Sequence, residues 1–94
     1  MKIIVNNLAV EYSEEGKGPV MLFLHGWKDN LHTFDALTPL LTPFAEVVRI
    51  DLPGFGGSEM PKRPWGVGEY ADFVSHFCNK LEIQPEILIG HSFG

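Results

Sequence analysis

The chain opens with two short strand-like runs, residues 2–5 and 8–12, and the polar pair Asn6-Asn7 separates them. Asparagine tolerates the positive φ of a tight turn, so this pattern predicts an antiparallel hairpin. After a polar turn, residues 20–24 are all apolar. An uninterrupted apolar run is typical of a strand buried on both faces of a sheet. The pattern therefore predicts a hairpin followed by a central strand.

Apolar positions then recur at intervals of three and four residues, which predicts a helix. Asn30 is suited to cap the start of this helix, and Pro43 marks its end. Pro39 lies inside the segment, where proline removes a backbone donor and should kink or interrupt the helix. The apolar positions are Phe34, Leu37, Leu40 and Leu41.

A second helix is predicted over residues 69–81, because one apolar stripe runs along it. Strand-like segments stand on either side of this helix, at residues 46–50 and 86–89. The resulting order, β-β-β-α-β-α-β, predicts a single α/β domain over residues 1–94, with a mostly parallel sheet and right-handed crossovers. The stripe consists of Tyr70, Phe73, Val74, Phe77 and Leu81.

Composition narrows the class of partner. The net charge is −5 and no basic cluster occurs, which argues against nucleic acid or an anionic membrane and favours a small-molecule ligand. The longest apolar run, residues 20–24, is too short for a signal peptide core or a membrane span, so we expect a cytoplasmic protein. Cys78 is the single cysteine, and we expect it in the core. No residue spacing suggests a metal site, and no cofactor is expected.

The last predicted strand runs directly into Gly90-His91-Ser92-Phe93-Gly94, a G-x-S-x-G pattern. This spacing is that of a nucleophile elbow, a sharp strand-to-helix turn that exposes a serine hydroxyl. The glycines at the two outer positions lack a Cβ and let strand and helix pass closely. Ser92 is therefore the candidate nucleophile, and the backbone N–H of Phe93 is a candidate donor to a substrate oxyanion.

Three motifs together, LFLHGW, RIDLPGFGGS and LIGHSFG, resemble the N-terminal half of the α/β-hydrolase fold, and the resemblance covers essentially all 94 positions. The segment HGWKDNLHTFDAL is similar to a cytosolic serine-hydrolase branch that includes esterases, lactonases and C–C bond hydrolases. The resemblance implies strand order 1-2-4-3-5 and a site at the carboxyl edge of the sheet. It matches Ser92 to the nucleophile and the N–H groups of Phe93 and Trp27 to the oxyanion donors. Serine at position 92 disfavours dehalogenase and epoxide hydrolase chemistry, for which the family uses aspartate.

Other polar residues near these motifs are expected to support the site. His25, next to Gly26, precedes the serine, which is the wrong order for the base of this fold, so we expect it to brace the oxyanion loop. Asp51 stands before a glycine-rich loop, where a carboxylate commonly accepts backbone N–H bonds and fixes a turn. His91 either shapes the pocket or packs against the neighbouring strand. The glycine-rich loop lacks the lysine and the helix start of a phosphate-binding loop.

The sequence predicts a serine hydrolase that attacks a carboxylic ester or related carbonyl and forms an acyl-enzyme on Ser92. The triad acid, the histidine and most of the lid are not among these 94 residues, which predicts a partial domain truncated at the elbow. The alternative is an inactive fragment that acts as a self-associating or binding module. In that case residues 86–89 form an open edge strand, and a homo-oligomer is expected.

Overall fold

The computed structural model describes residues 1–26 and 29–91. Its strands are β1 (Lys2–Val5), β2 (Leu8–Glu15), β3 (Val20–Leu24), β4 (Glu46–Ile50) and β5 (Ile87–Gly90). Its helical elements are a 3₁₀ helix (Leu31–Phe34), α1 (Thr38–Leu41) and α2 (Val67–Leu81).

The strands form one five-stranded sheet in the order β1-β2-β4-β3-β5, which confirms the predicted order. β2 pairs antiparallel with both β1 and β4, whereas β3 pairs parallel with both β4 and β5. Four strands therefore run in one direction and β2 runs in the other. The sheet is mixed, and the expectation of a mostly parallel sheet holds for strand direction but for only half of the pairings.

The hairpin between β1 and β2 forms as predicted. Asn6 and Asn7 have φ angles of 52° and 64°, the left-handed conformation that a two-residue turn between twisted strands requires. β2 continues beyond the predicted end at residue 12, because its second half pairs with β4 and places Glu15 opposite Val47. β2 thus connects the hairpin to the parallel strands.

The first predicted helix is not continuous. Asn30 does cap a helical segment, since its side chain accepts a hydrogen bond from the His32 N–H, but that segment is the 3₁₀ helix. The chain then turns and resumes as α1, with Pro39 in the first turn of the new helix. Proline has no N–H to continue a helix across this point but fits a first turn well, which explains the division.

The two faces of the sheet are covered unequally. On one face α2 buries Phe73 and Phe77 completely, against Leu22 and Val48 of the central strands. On the other face the 3₁₀ helix packs Phe34 onto Phe23, with the ring centroids 4.9 Å apart. The main apolar core therefore lies between α2 and the sheet, and the smaller core holds the 3₁₀ helix in place.

β5 lies at the edge of the sheet, paired with β3. Ile87 is 48% exposed and Leu88 is 60% exposed, much more than the residues of β3 and β4. Among the described residues, the helices are too short or too polar to cross a membrane.

Candidate active site

The parallel strands β3, β4 and β5 end at the same edge of the sheet, because Leu24 pairs with both Ile50 and Gly90. The loops that follow these three strands therefore lie side by side. The His91 N–H donates to the Leu24 carbonyl at 3.1 Å, which holds the start of the G-x-S-x-G motif beside the end of β3. The side chain of His91 is exposed.

Four predicted site residues lie outside the described residues. They are the candidate nucleophile Ser92, the candidate oxyanion donors Trp27 and Phe93, and Gly94. The other predicted residues, His25, Gly26, Asp51, Gly90 and His91, all follow or end the three parallel strands, so the structure brings them to one edge. The predicted roles of all these residues stay predictions.

His25 is fully buried, and both of its ring nitrogens have partners. Nε2 accepts a hydrogen bond from the Leu52 N–H at 2.9 Å, so the ring proton is on Nδ1, which donates to the Gly26 carbonyl at 2.8 Å. The Phe55 ring packs edge-on against the imidazole. His25 thus connects the loop after β3 with the loop after β4, and in this arrangement neither nitrogen can accept a proton from a serine.

Asp51 connects the same two loops through its carboxylate. One oxygen accepts the Leu31 N–H at 2.6 Å, and the other accepts the Gly57 N–H at 2.8 Å. The residue is 4% exposed, so these bonds are shielded from water. A carboxylate that accepts two backbone N–H groups makes strong, charge-assisted hydrogen bonds. Asp51 therefore fixes where the 3₁₀ helix begins and how the loop after β4 folds.

Ser58 completes the attachment of the loop after β4. Its hydroxyl donates to the Asp51 carbonyl at 2.5 Å and accepts the Glu11 N–H at 2.8 Å. The loop is thereby held to β2 as well as to the end of β4. These contacts account for the serine at the end of RIDLPGFGGS.

Arg49 is a residue whose importance the sequence analysis missed. It lies on β4 between apolar neighbours, and its side chain is only 8% exposed. Its guanidinium forms ion pairs with Glu15 at 2.7 Å and with Asp35 at 2.6 Å. The hydrogen bond from Arg49 holds the pKa of the Asp35 carboxyl below its usual range. A lone arginine inside a buried strand was the available signal, since such a charge needs partners.

No group of three or more histidine, cysteine, aspartate or glutamate side chains is arranged to hold a metal ion within residues 1–26 and 29–91. An open apolar groove of about 280 Å³ lies between β5 and the first half of α2. Its lining includes Leu24, Leu88 and Val74. This groove lies on the α2 face of the sheet, and Leu24 and Leu52 in its lining place it next to the carboxyl edge.

The chain is similar to known hydrolases in sequence. Residues 19–94 match the family model of the α/β hydrolase fold. The chain is 30% identical over 93 residues to the 2-(acetamidomethylene)succinate hydrolase of Mesorhizobium japonicum, covering 99% of this chain and 34% of that protein. It is 38% identical over 80 residues to a probable serine hydrolase of Drosophila melanogaster, covering 79% of this chain and 23% of that protein.

Among solved structures, the chain is similar to a crystal structure of a bacterial membrane phospholipase A, with a TM-score of 0.95 and 32% identity. That match covers 100% of this chain and 31% of the phospholipase chain. The chain thus spans about a third or less of these relatives.

The loop after β4 yields a prediction at Gly56. This residue has a φ of +52°, and a Cβ placed on it would come within 2.3 Å of the Asp51 carboxylate. Left-handed backbone costs a non-glycine residue about 1–2 kcal/mol, and displacing the carboxylate sacrifices hydrogen bonds of about 1 kcal/mol or more. We expect Gly56→Ala to lower the free energy of unfolding in urea by at least about 2 kcal/mol.

The matched control is Gly68→Ala. Gly68 lies in the first turn of α2, and a Cβ there would meet nothing within 4 Å. The control should leave stability unchanged or raise it by up to about 1 kcal/mol. Equal effects of the two substitutions would contradict the role given to the Asp51 contacts.

Proposed function

Because the chain belongs to the α/β-hydrolase fold family, we propose that the whole protein is a serine hydrolase that acts on a carboxylic ester or a related carbonyl compound. One observation carries the proposal. β5 ends at Gly90, the first residue of G-x-S-x-G, in register with the end of β3 and beside the loop that begins at His25. This arrangement supports a nucleophile and an oxyanion-binding loop at neighbouring strand ends. The substrate is a small cytosolic molecule, and no cofactor takes part.

In the proposed reaction the Ser92 hydroxyl attacks the substrate carbonyl. The negative charge that develops on the carbonyl oxygen is bound by the backbone N–H groups of Trp27 and Phe93. The alcohol leaves with a proton, and an acyl group stays on Ser92 until water releases it as the acid. A histidine and an acid supply the proton transfers, and they come from the part of the protein beyond these residues.

His25 and Asp51 do not serve as that pair. His25 uses both ring nitrogens and Asp51 uses both carboxylate oxygens to hold backbone groups. Serine at position 92 supports acyl transfer rather than the chemistry of family members with a nucleophilic aspartate. The Drosophila relative, described as a probable serine hydrolase, points in the same direction.

The role of Trp27 is tested in the whole protein with two substitutions. Trp27→Pro deletes the backbone donor, so we expect a loss in kcat of about 10² to 10³-fold, the usual effect of removing one oxyanion donor. Trp27→Phe keeps the N–H and should retain most of kcat. Ser92→Ala, assayed on the same p-nitrophenyl ester, gives the background rate.

Two results would count against this reaction. Equal losses in the two Trp27 variants would assign the role to the indole ring instead of the backbone. A Ser92→Ala variant as active as the unmodified protein would remove Ser92 from the reaction.

The 94-residue chain by itself should show no ester hydrolysis above that of its Ser92→Ala variant. General-base activation contributes about 10² to 10⁴-fold, and neither nitrogen of His25 is available to provide it. The measurement is p-nitrophenyl acetate hydrolysis by the purified chain. Turnover that depends on Ser92 would show that a base within these residues reaches the serine.

A second candidate function is self-association, and the exposure of β5 favours it. The His91 N–H donates to Leu24 on β3, so by the alternation of a strand Leu88 and Gly90 direct their backbone groups away from β3. Ile87 and Leu88 are also about half exposed, next to the apolar groove. Such an edge can pair with the same edge of a second copy across a two-fold axis.

We therefore propose that the 94-residue chain, by itself, forms a dimer or larger assembly through β5. Leu88→Lys places a charge on the exposed strand and should shift the assembly towards monomer, whereas Leu40→Lys, at an equally exposed position on α1, should not. Light scattering over a dilution series measures the mass. A 10.5 kDa monomer at high micromolar concentration would contradict the proposal.

A further inference from the structure

The peptide groups on both sides of Leu31 are held by residues of one chain segment, the end of β4. The Leu31 N–H donates to Asp51 at 2.6 Å, and the Leu31 carbonyl accepts a longer bond of 3.4 Å from Arg49. Leu31 is the first residue of the 3₁₀ helix, and it is buried. Its position fixes the far end of the loop that begins at His25.

Arg49 lies on β4, a buried inner strand of the sheet. β4 lies between β2 and β3, and its Val47 and Val48 are fully buried. The side chain of Arg49 lies on the same face of the sheet as Val47, the face that the 3₁₀ helix covers. The guanidinium is planar and presents its donors in a fixed fork, so its contacts hold their partners at defined positions.

The two halves of the guanidinium hold different elements. Nη2 pairs with Glu15, and Nε donates to Ser13, so this half connects β4 to β2 within the sheet. Nη1 pairs with Asp35, directly after the 3₁₀ helix, and donates to the Leu31 carbonyl, so this half connects the sheet to the 3₁₀ helix. A single side chain therefore spans both ends of the 3₁₀ helix.

We propose that Arg49 is a positioning residue for the oxyanion loop, acting through Leu31 and Asp35. The inference rests on the proposed function, in which the N–H of Trp27 binds the oxyanion. The loop is fixed at its start by His25 and at its end by the Leu31 peptide, and Trp27 lies between these two attachments in sequence. A shift of about 1 Å in a catalytic group can cost about 10²-fold in rate.

A matched pair of substitutions in the whole protein separates positioning from simple stabilisation. Asp35→Asn and Glu15→Gln each remove one ion pair of Arg49, and the two pairs have similar lengths and half-exposed carboxylates. Asp35→Asn should lower kcat by about tenfold or more, with KM changed less than kcat, because the oxyanion is bound more tightly in the transition state than the substrate carbonyl is. Glu15→Gln should keep kcat within about twofold, because it loosens only the contact to β2.

Substitution of Arg49 itself provides the second comparison. Arg49→Lys keeps the charge but cannot contact both acids and the Leu31 carbonyl together, so it should resemble Asp35→Asn in kcat. Losses of kcat that are equal in Asp35→Asn and Glu15→Gln, or absent from both, would overturn the positioning role.

Hydrogen exchange gives a readout that does not depend on activity. In Asp35→Asn and Arg49→Lys, amide exchange in the peptide covering residues 29–34 should accelerate by about tenfold, while exchange in β2 and β4 stays unchanged. In Glu15→Gln the peptide 29–34 should exchange as in the unmodified protein. Unchanged exchange in this peptide for all three variants would overturn the attachment even if the protein proves not to be a serine hydrolase. Accelerated exchange in a protein without Ser92-dependent hydrolysis would retain the attachment and reject the proposed function.

Discussion

The buried carboxylate of Asp51 is the contact on which the carboxyl edge of the sheet depends. It accepts one backbone N–H from the start of the 3₁₀ helix and one from the loop after β4, so the two loops are fixed relative to each other. His25 repeats this connection from the other side, through the Leu52 N–H and the Gly26 carbonyl. Apart from the first residue of the 3₁₀ helix, these points have no regular secondary structure, and an unmade bond to a buried N–H would cost about 1–3 kcal/mol. The side chains of Asp51 and His25 thus hold the two loops together, as backbone hydrogen bonds hold the strands together.

The same contacts show that His25, Asp51 and Ser58 have structural roles in holding the loops. The sequence already predicts that His25 and Asp51 support the loops instead of acting as base and acid. In the structure His25, Asp51 and Ser58 form bonds to backbone groups of three different segments, the loop after β3, the loop after β4 and β2. A base must be able to accept a proton, and both ring nitrogens of His25 are already occupied by bonds to backbone groups. In the proposed reaction the base and the acid are therefore residues other than His25 and Asp51.

The sequence predicted most of the fold because most helices, strands and turns are indicated by residues that are neighbours in the chain. Asn6-Asn7 predicted the hairpin through its backbone preference, the continuous apolar run 20–24 predicted β3, and the strand-like segment around Val47 and Val48 predicted β4. The helix around Pro39 was predicted as one element but forms two, because the proline fits the first turn of α1 and the capped segment before it closes as a 3₁₀ helix. Strand β2 was predicted too short, because its second half is polar and is held by pairing with β4. Pairing between distant segments leaves no local pattern.

Arg49 shows the same limit at the candidate site. Its partners Ser13, Glu15, Leu31 and Asp35 are 14 to 36 residues away, and no spacing in the sequence connects them. Burying a guanidinium without partners would cost several kcal/mol, so the fold can hold Arg49 inside a strand only if it brings carboxylates to it. The carboxylates of Glu15 and Asp35 both remain half exposed. Water can therefore still solvate either carboxylate when the other is removed. The cost of the buried charge is thus offset by two elements that the sheet must hold together, and the 3₁₀ helix is the element next to the loop that begins at His25. A stability argument alone would replace Arg49 by an apolar side chain, whereas the proposed positioning of that loop gives a reason for the buried charge.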